Sequence, residues 1–193
     1  MIPTLPLRPR NRLAETILAA LHDSSAREEL TKLANASGTG VAREWLSDEE
    51  QRHSAALVAR ARRAADAVAA RRVPDESRSS IARLLDDAAT LFDAGLYFEV
   101  HELLEPSWRE AEGAAREALQ GLIQIAVGYQ HLANGNVAGA RALLDEGAER
   151  LRHGRLPGLD VGRFASDVSA TCARVPDVDE GDVPAFPRVA VAH

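Results

Sequence analysis

The stretch 114–133 limits the fold more than any other part of the chain. At about 100° per residue, Leu119, Leu122, Ile123, Ile125, Ala126, Val127, Tyr129 and Leu132 spread round nearly every direction of a helix. A helix apolar on all sides belongs at the centre of a bundle, where neighbours cover each side. Helical patterns for such neighbours run over residues 10–22, 25–35, 47–72, 75–95, 96–112 and 137–153, with a weaker one over 161–173. Ser47 and Glu50 have capping-box spacing at the start of the longest, and Pro74 stops it. Gly95, Gly113 and Asn134-Gly135-Asn136 mark the turns that follow. No segment alternates apolar and polar residues as a half-buried strand does. Alanine is abundant and aromatic residues make up only 4%, so the core must rest on aliphatic and small side chains. The expectation is an all-α fold, a compact bundle of antiparallel helices with helical-hairpin repeats.

The repeat appears when the sequence is shifted by forty residues. Gly95 then falls on Gly135, Val100 on Ala140, Leu103 on Leu143 and Leu104 on Leu144. Both copies read as helix, tight glycine turn, helix, and two copies suit a closed bundle better than a solenoid, which needs at least three. The chain divides accordingly into an N-terminal helical extension (1–74), the bundle core (75–173) and an extended or disordered tail (174–193) rich in Pro, Asp and Val.

Charge and cysteine content bound the partners. A net charge of −6 argues against a phosphate-binding surface spread over the molecule. The basic run ARARRAADAVAARR (59–72) reads as the solvated face of a long helix, so nucleic acid is not an expected partner. Cys172 is the single cysteine and no intrachain disulfide can form. MIPTLPLRPRNR has no apolar h-region of a signal peptide, and no window is apolar enough for a membrane span. The expected setting is cytoplasmic and soluble, with no membrane.

Chemistry concentrates in YFEVHELLEPSW, residues 97–108. On a helical wheel Leu96, Tyr97, Val100, Leu103, Leu104 and Trp108 form the apolar arc. His101 and Glu105, one turn apart, sit at its edge, and Glu99 and Glu102 point away toward solvent. Pro106 lacks an N–H and crowds the carbonyl of Glu102, so the helix should kink or end within 102–106. On the next helix Gln120, Gln124 and His131 share one narrow stripe, with Gly121 and Gly128 beside it to let a neighbouring backbone approach. Gly113 makes the two helices an antiparallel pair, so His101 and Glu105 are expected to face Gln120, Gln124 and His131 across it.

Two readings follow. In the first, the His/Glu/Gln cluster is a buried hydrogen-bond network that fixes helix pairing, within a non-catalytic binding or interaction module for a protein or small-molecule partner. In the second, His101, Glu105 and His131 hold a divalent metal ion and Glu102 is the general base of a metal-dependent hydrolase. HELLE resembles the HE-x-x-H zinc helix with its last histidine replaced by glutamate, and a metal-bound water would supply the nucleophile. The residues leave open whether the chain is an enzyme. Asn134 and Asn136 support the turn between helices.

LFDAGLYFEVHELLEPSWREAEG followed by LQGLIQIAVGYQHLANGNVAGARALLDEGAERL resembles the bacterial and archaeal family called domain of unknown function 309. The family's pattern is phenylalanine–glycine–aromatic, E-x-H-E-x-x-E-x-x-W, Q-G-L-I-Q, a histidine, and G-N-x-x-G-A. It is met by Phe92, Gly95, Tyr97, Glu99, His101, Glu102, Glu105, Trp108, Gln120, Gly121, Gln124, His131, Gly135, Asn136, Gly139 and Ala140. The likeness covers about residues 81–153 and implies a compact all-α helical bundle. It supplies no activity beyond the conjecture of a metal-dependent hydrolase. The chain departs from the pattern at Pro106, where the family more often has a helix-friendly residue.

Overall fold

A computed structural model describes residues 5–36, 39–71 and 77–189. The chain forms two compact units, Met1–Arg72 and Val73–His193. Pro74 and Asp75, taken above as a helix stop and a helix start, fall outside the described residues.

In the first unit α1 (Leu7–Ala20), α2 (Ser24–Ala34), α3 (Thr39–Trp45) and α4 (Ser54–Ala70) pack around Leu13, Ile17, Leu30, Leu33 and Leu57. Asp23 caps α2 by accepting the Ala26 N–H at 2.7 Å. The helix expected from Ser47 begins instead as a 3₁₀ segment, Asp48–His53, that runs into α4. None of its six polar residues is buried, so no apolar anchor imposes the wider α-helical winding. The Glu50 carboxylate still accepts the Ser47 N–H at 3.0 Å, as the capping-box spacing requires. Two arginines of the basic run serve the fold itself. Arg62 donates to Ala34 O at 3.1 Å and Arg71 to Leu21 O at 2.9 Å, supplying donors to carbonyls that helix ends leave open.

The second unit contains α5 (Ser80–Asp93), α6 (Tyr97–Glu110), α7 (Gly113–Ala133), α8 (Val137–His153) and α9 (Val161–Cys172). Among the described residues of the chain there is no strand, only the isolated bridge between Leu156 and Leu159. The forty-residue repeat is real at its turns. Gly95 and Gly135 take positive φ values of 70° and 79°. In the first turn Leu96 N–H reaches Leu91 O and Gly95 N–H reaches Phe92 O; in the second, Asn136 N–H reaches His131 O and Gly135 N–H reaches Leu132 O. Both are the same glycine-ended helix stop, forty residues apart.

α7 is less engulfed than its sequence suggests. Ala118, Leu119, Leu122, Ile125, Ala126 and Tyr129 are buried with Gly121 and Gly128, but Ile123, Val127 and Leu132 are only half-buried. Its closest neighbour is α8. A Cβ added at Gly121 would lie 2.8 Å from Gly147 O, and one at Gly128 would lie 2.9 Å from the Leu144 side chain. The two glycines read from the sequence as room for a neighbouring backbone do give that room, and α8 takes it.

The core also uses its few aromatic residues more heavily than composition implied. Phe92 is a hub, with ring centroids of Tyr97, Tyr129, Phe164 and Phe186 at 5.1, 5.7, 5.9 and 5.2 Å. Phe186 belongs to the irregular segment after the short 3₁₀ turn Glu180–Asp182 and is buried in the unit's core.

Candidate functional site

The motif helix does not end at its proline. α6 continues unbroken from Tyr97 to Glu110 with Pro106 inside it. The Glu102 carbonyl loses its intrahelical N–H partner there, and Pro106 itself lies exposed, where its ring meets little but solvent. The buried face of α6 is Tyr97, Glu99, Val100 and Leu104.

Glu99 corrects the wheel. It was expected at the surface and is 0% exposed. A wheel records only the helix's own residues, whereas burial is set by whatever packs over each side of it. The signal for Glu99 in the sequence was its place in the family pattern, two residues ahead of His101. Its position in the first turn of α6 also suits a carboxylate, because a helix N-terminus favours negative charge.

His101, Glu102 and Glu105 form one cluster. Each offers a ligand atom, and these atoms lie within 4.8 Å of one another. All three side chains are about a third exposed, so the cluster is half-buried and reaches solvent. His101 Nδ1 is 2.9 Å from Glu102 Oε1. A carboxylate oxygen only accepts, so Nδ1 carries the proton, and the neutral ring then keeps a bare lone pair on Nε2. Glu105 Oε1 accepts from Arg109 Nη2 at 2.7 Å, an i,i+4 pair. Arg109 was not singled out in the sequence, although its spacing from Glu105 was there to be read.

The polar stripe of α7 meets other partners. Gln124 turns to α8, where its amide and the Arg150 guanidinium hold the Glu146 carboxyl below its ordinary value. Gln124 Oε1 is buried with no protein partner among the described residues. Arg150 in turn joins α7 to α8, bonding Glu117 at 2.9 Å and Glu146 at 3.0 Å. Gln120 is half-buried on the same stripe.

His131 stands at the turn into α8 and is not in the group formed by His101, Glu102 and Glu105. Its Nδ1 lies 2.6 Å from Asn136 Nδ2. An amide nitrogen only donates, so Nδ1 is the acceptor and the neutral ring carries its proton on Nε2. Both ring nitrogens are thereby committed. Asn136 completes the turn by accepting the Gly139 N–H at 3.0 Å, the N-cap of α8.

The remaining motif residues make contacts within the fold. Tyr97 is an aromatic core residue beside Phe92 and Tyr129. Trp108 lies under the Arg116 guanidinium, 4.3 Å from the ring centroid. Arg116 also donates to the carbonyls of Trp108, Arg109 and Ala111, closing the C-terminal end of α6. Trp108 Nε1 is buried with no partner among the described residues.

The family model named domain of unknown function (DUF309) matches residues 85–143, from within α5 into α8, and this segment belongs to that family. The match contains the whole HELLE cluster and both glycine turns. No curated protein and no solved structure shows significant similarity to the chain. None of the helices among the described residues is long and apolar enough to cross a membrane.

Proposed function

From membership of the DUF309 family through α5–α8, we propose that the chain is a non-catalytic binding module whose ligand-bearing face is His101, Glu102 and Glu105. The observation that carries this reading is their convergence, three ligand atoms within 4.8 Å on a partly exposed helix face. Glu102 acts there as an orienting group. It holds the proton on His101 Nδ1 and leaves Nε2 to accept a ligand, as carboxylates do behind ligating histidines.

The donor set of one imidazole nitrogen and carboxylate oxygens suits a divalent transition-metal ion, with His101 and Glu105 as the i,i+4 pair. A bound ion would polarise an oxygen ligand of the partner molecule. Arg109 holds Glu105 Oε1, so binding requires the Glu105 carboxylate to use its other oxygen or to release the arginine.

A metal-dependent hydrolase at the same face is the second reading, favoured by the free His101 Nε2. It assigns Glu102 the base, yet one of that carboxylate's oxygens is already committed to His101.

Calorimetric titration of Zn²⁺ and Mn²⁺ into metal-stripped protein tests the binding reading. One saturable site, lost in His101→Ala and Glu105→Gln while both keep their helical circular dichroism, is the expected result. Titrations equal in wild type and variants refute it. Metal-activated hydrolysis of activated ester or phosphoester substrates, abolished by Glu102→Gln with ion binding intact, would instead establish the enzyme.

A further inference from the structure

The segment after α9 is fastened in two different ways. Through Asp182 it is tied to α9 and its exit turn. Arg174 and the Asp179 N–H bond the Asp182 carboxylate at 3.0 Å each, and Thr171 Oγ1 donates to Asp182 O at 3.4 Å. Beyond that point residues 183–189 form no helix or strand and make no backbone–backbone hydrogen bond among the described residues. They are held as a ligand is held. The Phe186 ring, 2% exposed, seats against Phe92 and Phe164 with centroids at 5.2 and 5.7 Å, while its neighbours Ala185 and Arg188 are exposed.

Asp93 does the reading. One carboxylate oxygen accepts the Phe186 N–H at 2.8 Å and the other accepts Arg188 Nη2 at 2.6 Å. Arg78 donates to Val189 O at 3.2 Å, and Val189 packs where Gly158 has no side chain. Asp93 is the last residue of α5, an end of a helix that disfavours a carboxylate. The position costs α5 stability and is explained by what Asp93 holds: one backbone donor and one cation, at fixed spacing.

A single buried aromatic anchor between less buried residues, registered by a charge-assisted pair, is the way extended peptides are recognised. We propose that the cleft at the C-terminal end of α5, floored by Phe92 and Phe164 and marked by Asp93, is a recognition site for linear peptide segments carrying an aromatic residue with an arginine two positions on. The chain's own Phe186–Pro187–Arg188 fills it in cis as a tethered, displaceable ligand. A partner segment of the same chemistry enters by replacing it. This site is separate from the His101 face and stands or falls independently of it.

The test uses the full chain and a fluorescein-labelled peptide of residues 182–189, DVPAFPRV. A short tether gives the cis segment an effective concentration in the millimolar range, so wild type should bind the peptide weakly. The variant Phe186→Ala/Arg188→Ala, its cleft vacated, should bind it at least tenfold more tightly. Adding Asp93→Asn to that variant, or replacing either the phenylalanine or the arginine in the peptide, should remove the gain. A folded variant that binds no better than wild type overturns the proposal. Hydrogen exchange of the wild-type Phe186 amide decides the matter if that variant does not fold. Exchange through local opening, independent of denaturant, is expected of a displaceable segment. Exchange only through global unfolding would make the tail a fixed part of the core and overturn the proposal.

Discussion

Gly121→Ala tests the close packing that organises the second unit. The added Cβ would stand 2.8 Å from Gly147 O and 2.9 Å from Leu151 Cδ2. The first of these is backbone of a facing helix and cannot swing aside. Relieving it means moving α8 by roughly half an ångström along its length, and overpacking of this kind costs about 1–3 kcal/mol. Alanine returns up to about 1 kcal/mol of helix propensity over glycine, leaving a net loss of up to about 2 kcal/mol. For a chain of this size that lowers Tm by up to roughly 8 °C. Trp45 and Trp108 are the only tryptophans, so in a Trp45→Phe background the fluorescence of Trp108 reports the second unit alone. Gly162→Ala is the matched control, since its Cβ would meet nothing closer than Asp160 Oδ1 at 3.8 Å, and it should leave stability unchanged or raise it by a few tenths to about 1 kcal/mol. Equal melting of the two variants would refute the claim that Gly121 is fixed by contact with α8.

Other expectations follow from single side chains. Phe92→Ala removes the ring on which four others rest and should cost about 3–5 kcal/mol, read by urea denaturation. Asn136→Ala removes the N-cap of α8 and the partner of His131; about 1 kcal/mol should be lost, and Asn136→Asp should restore most of the cap in the same assay. Burial, with Asp145 beside it, pushes the Cys172 thiol up to about 11 from its ordinary 9.0. Folded protein should therefore resist thiol reagents at pH 8 and react once unfolded. The sign for stability follows: the unfolded chain loses this proton first, so the thiol's contribution is intact below pH 9 and declines as pH rises toward 11. A denaturation midpoint that climbs over that interval in wild type relative to Cys172→Ala would contradict it.

The fold was legible wherever a local rule decides the outcome. Gly95 and Gly135 close their helices through left-handed backbone, a conformation that glycine adopts at little cost, so the turns and the repeat could be read directly. The same holds for α8, whose bounds were recovered as Val137–His153. Legibility failed where the answer depends on a second element. The residues 48–53, none of them buried, form a 3₁₀ segment where the periodicity gave an α-helix, and α3 was missed because seven residues carry too little periodic signal. The part played by Phe186 in the core was invisible in a tail read from composition, since it depends on Phe92 and Asp93 lying ready ninety residues earlier.

The site follows the same division, and the pattern of its failures narrows the chemistry. Spacing along α6 was enough to join His101 to Glu105, because both lie on one rigid helix. Spacing could not decide which way Gln124 and His131 would turn, since α7 has neighbours on two sides and the close glycine contacts draw α8 to it. Gln124 consequently serves Glu146 and His131 serves Asn136. For His131 to join His101 and Glu105 in a shared ligand set, it would have to release Asn136 and free a ring nitrogen. A metal reading then rests on α6 alone, where ligands one turn apart leave most of an ion's coordination open. In the proposed binding reading such a site would hold a ligand against the surface, and the partner would supply the remaining donors.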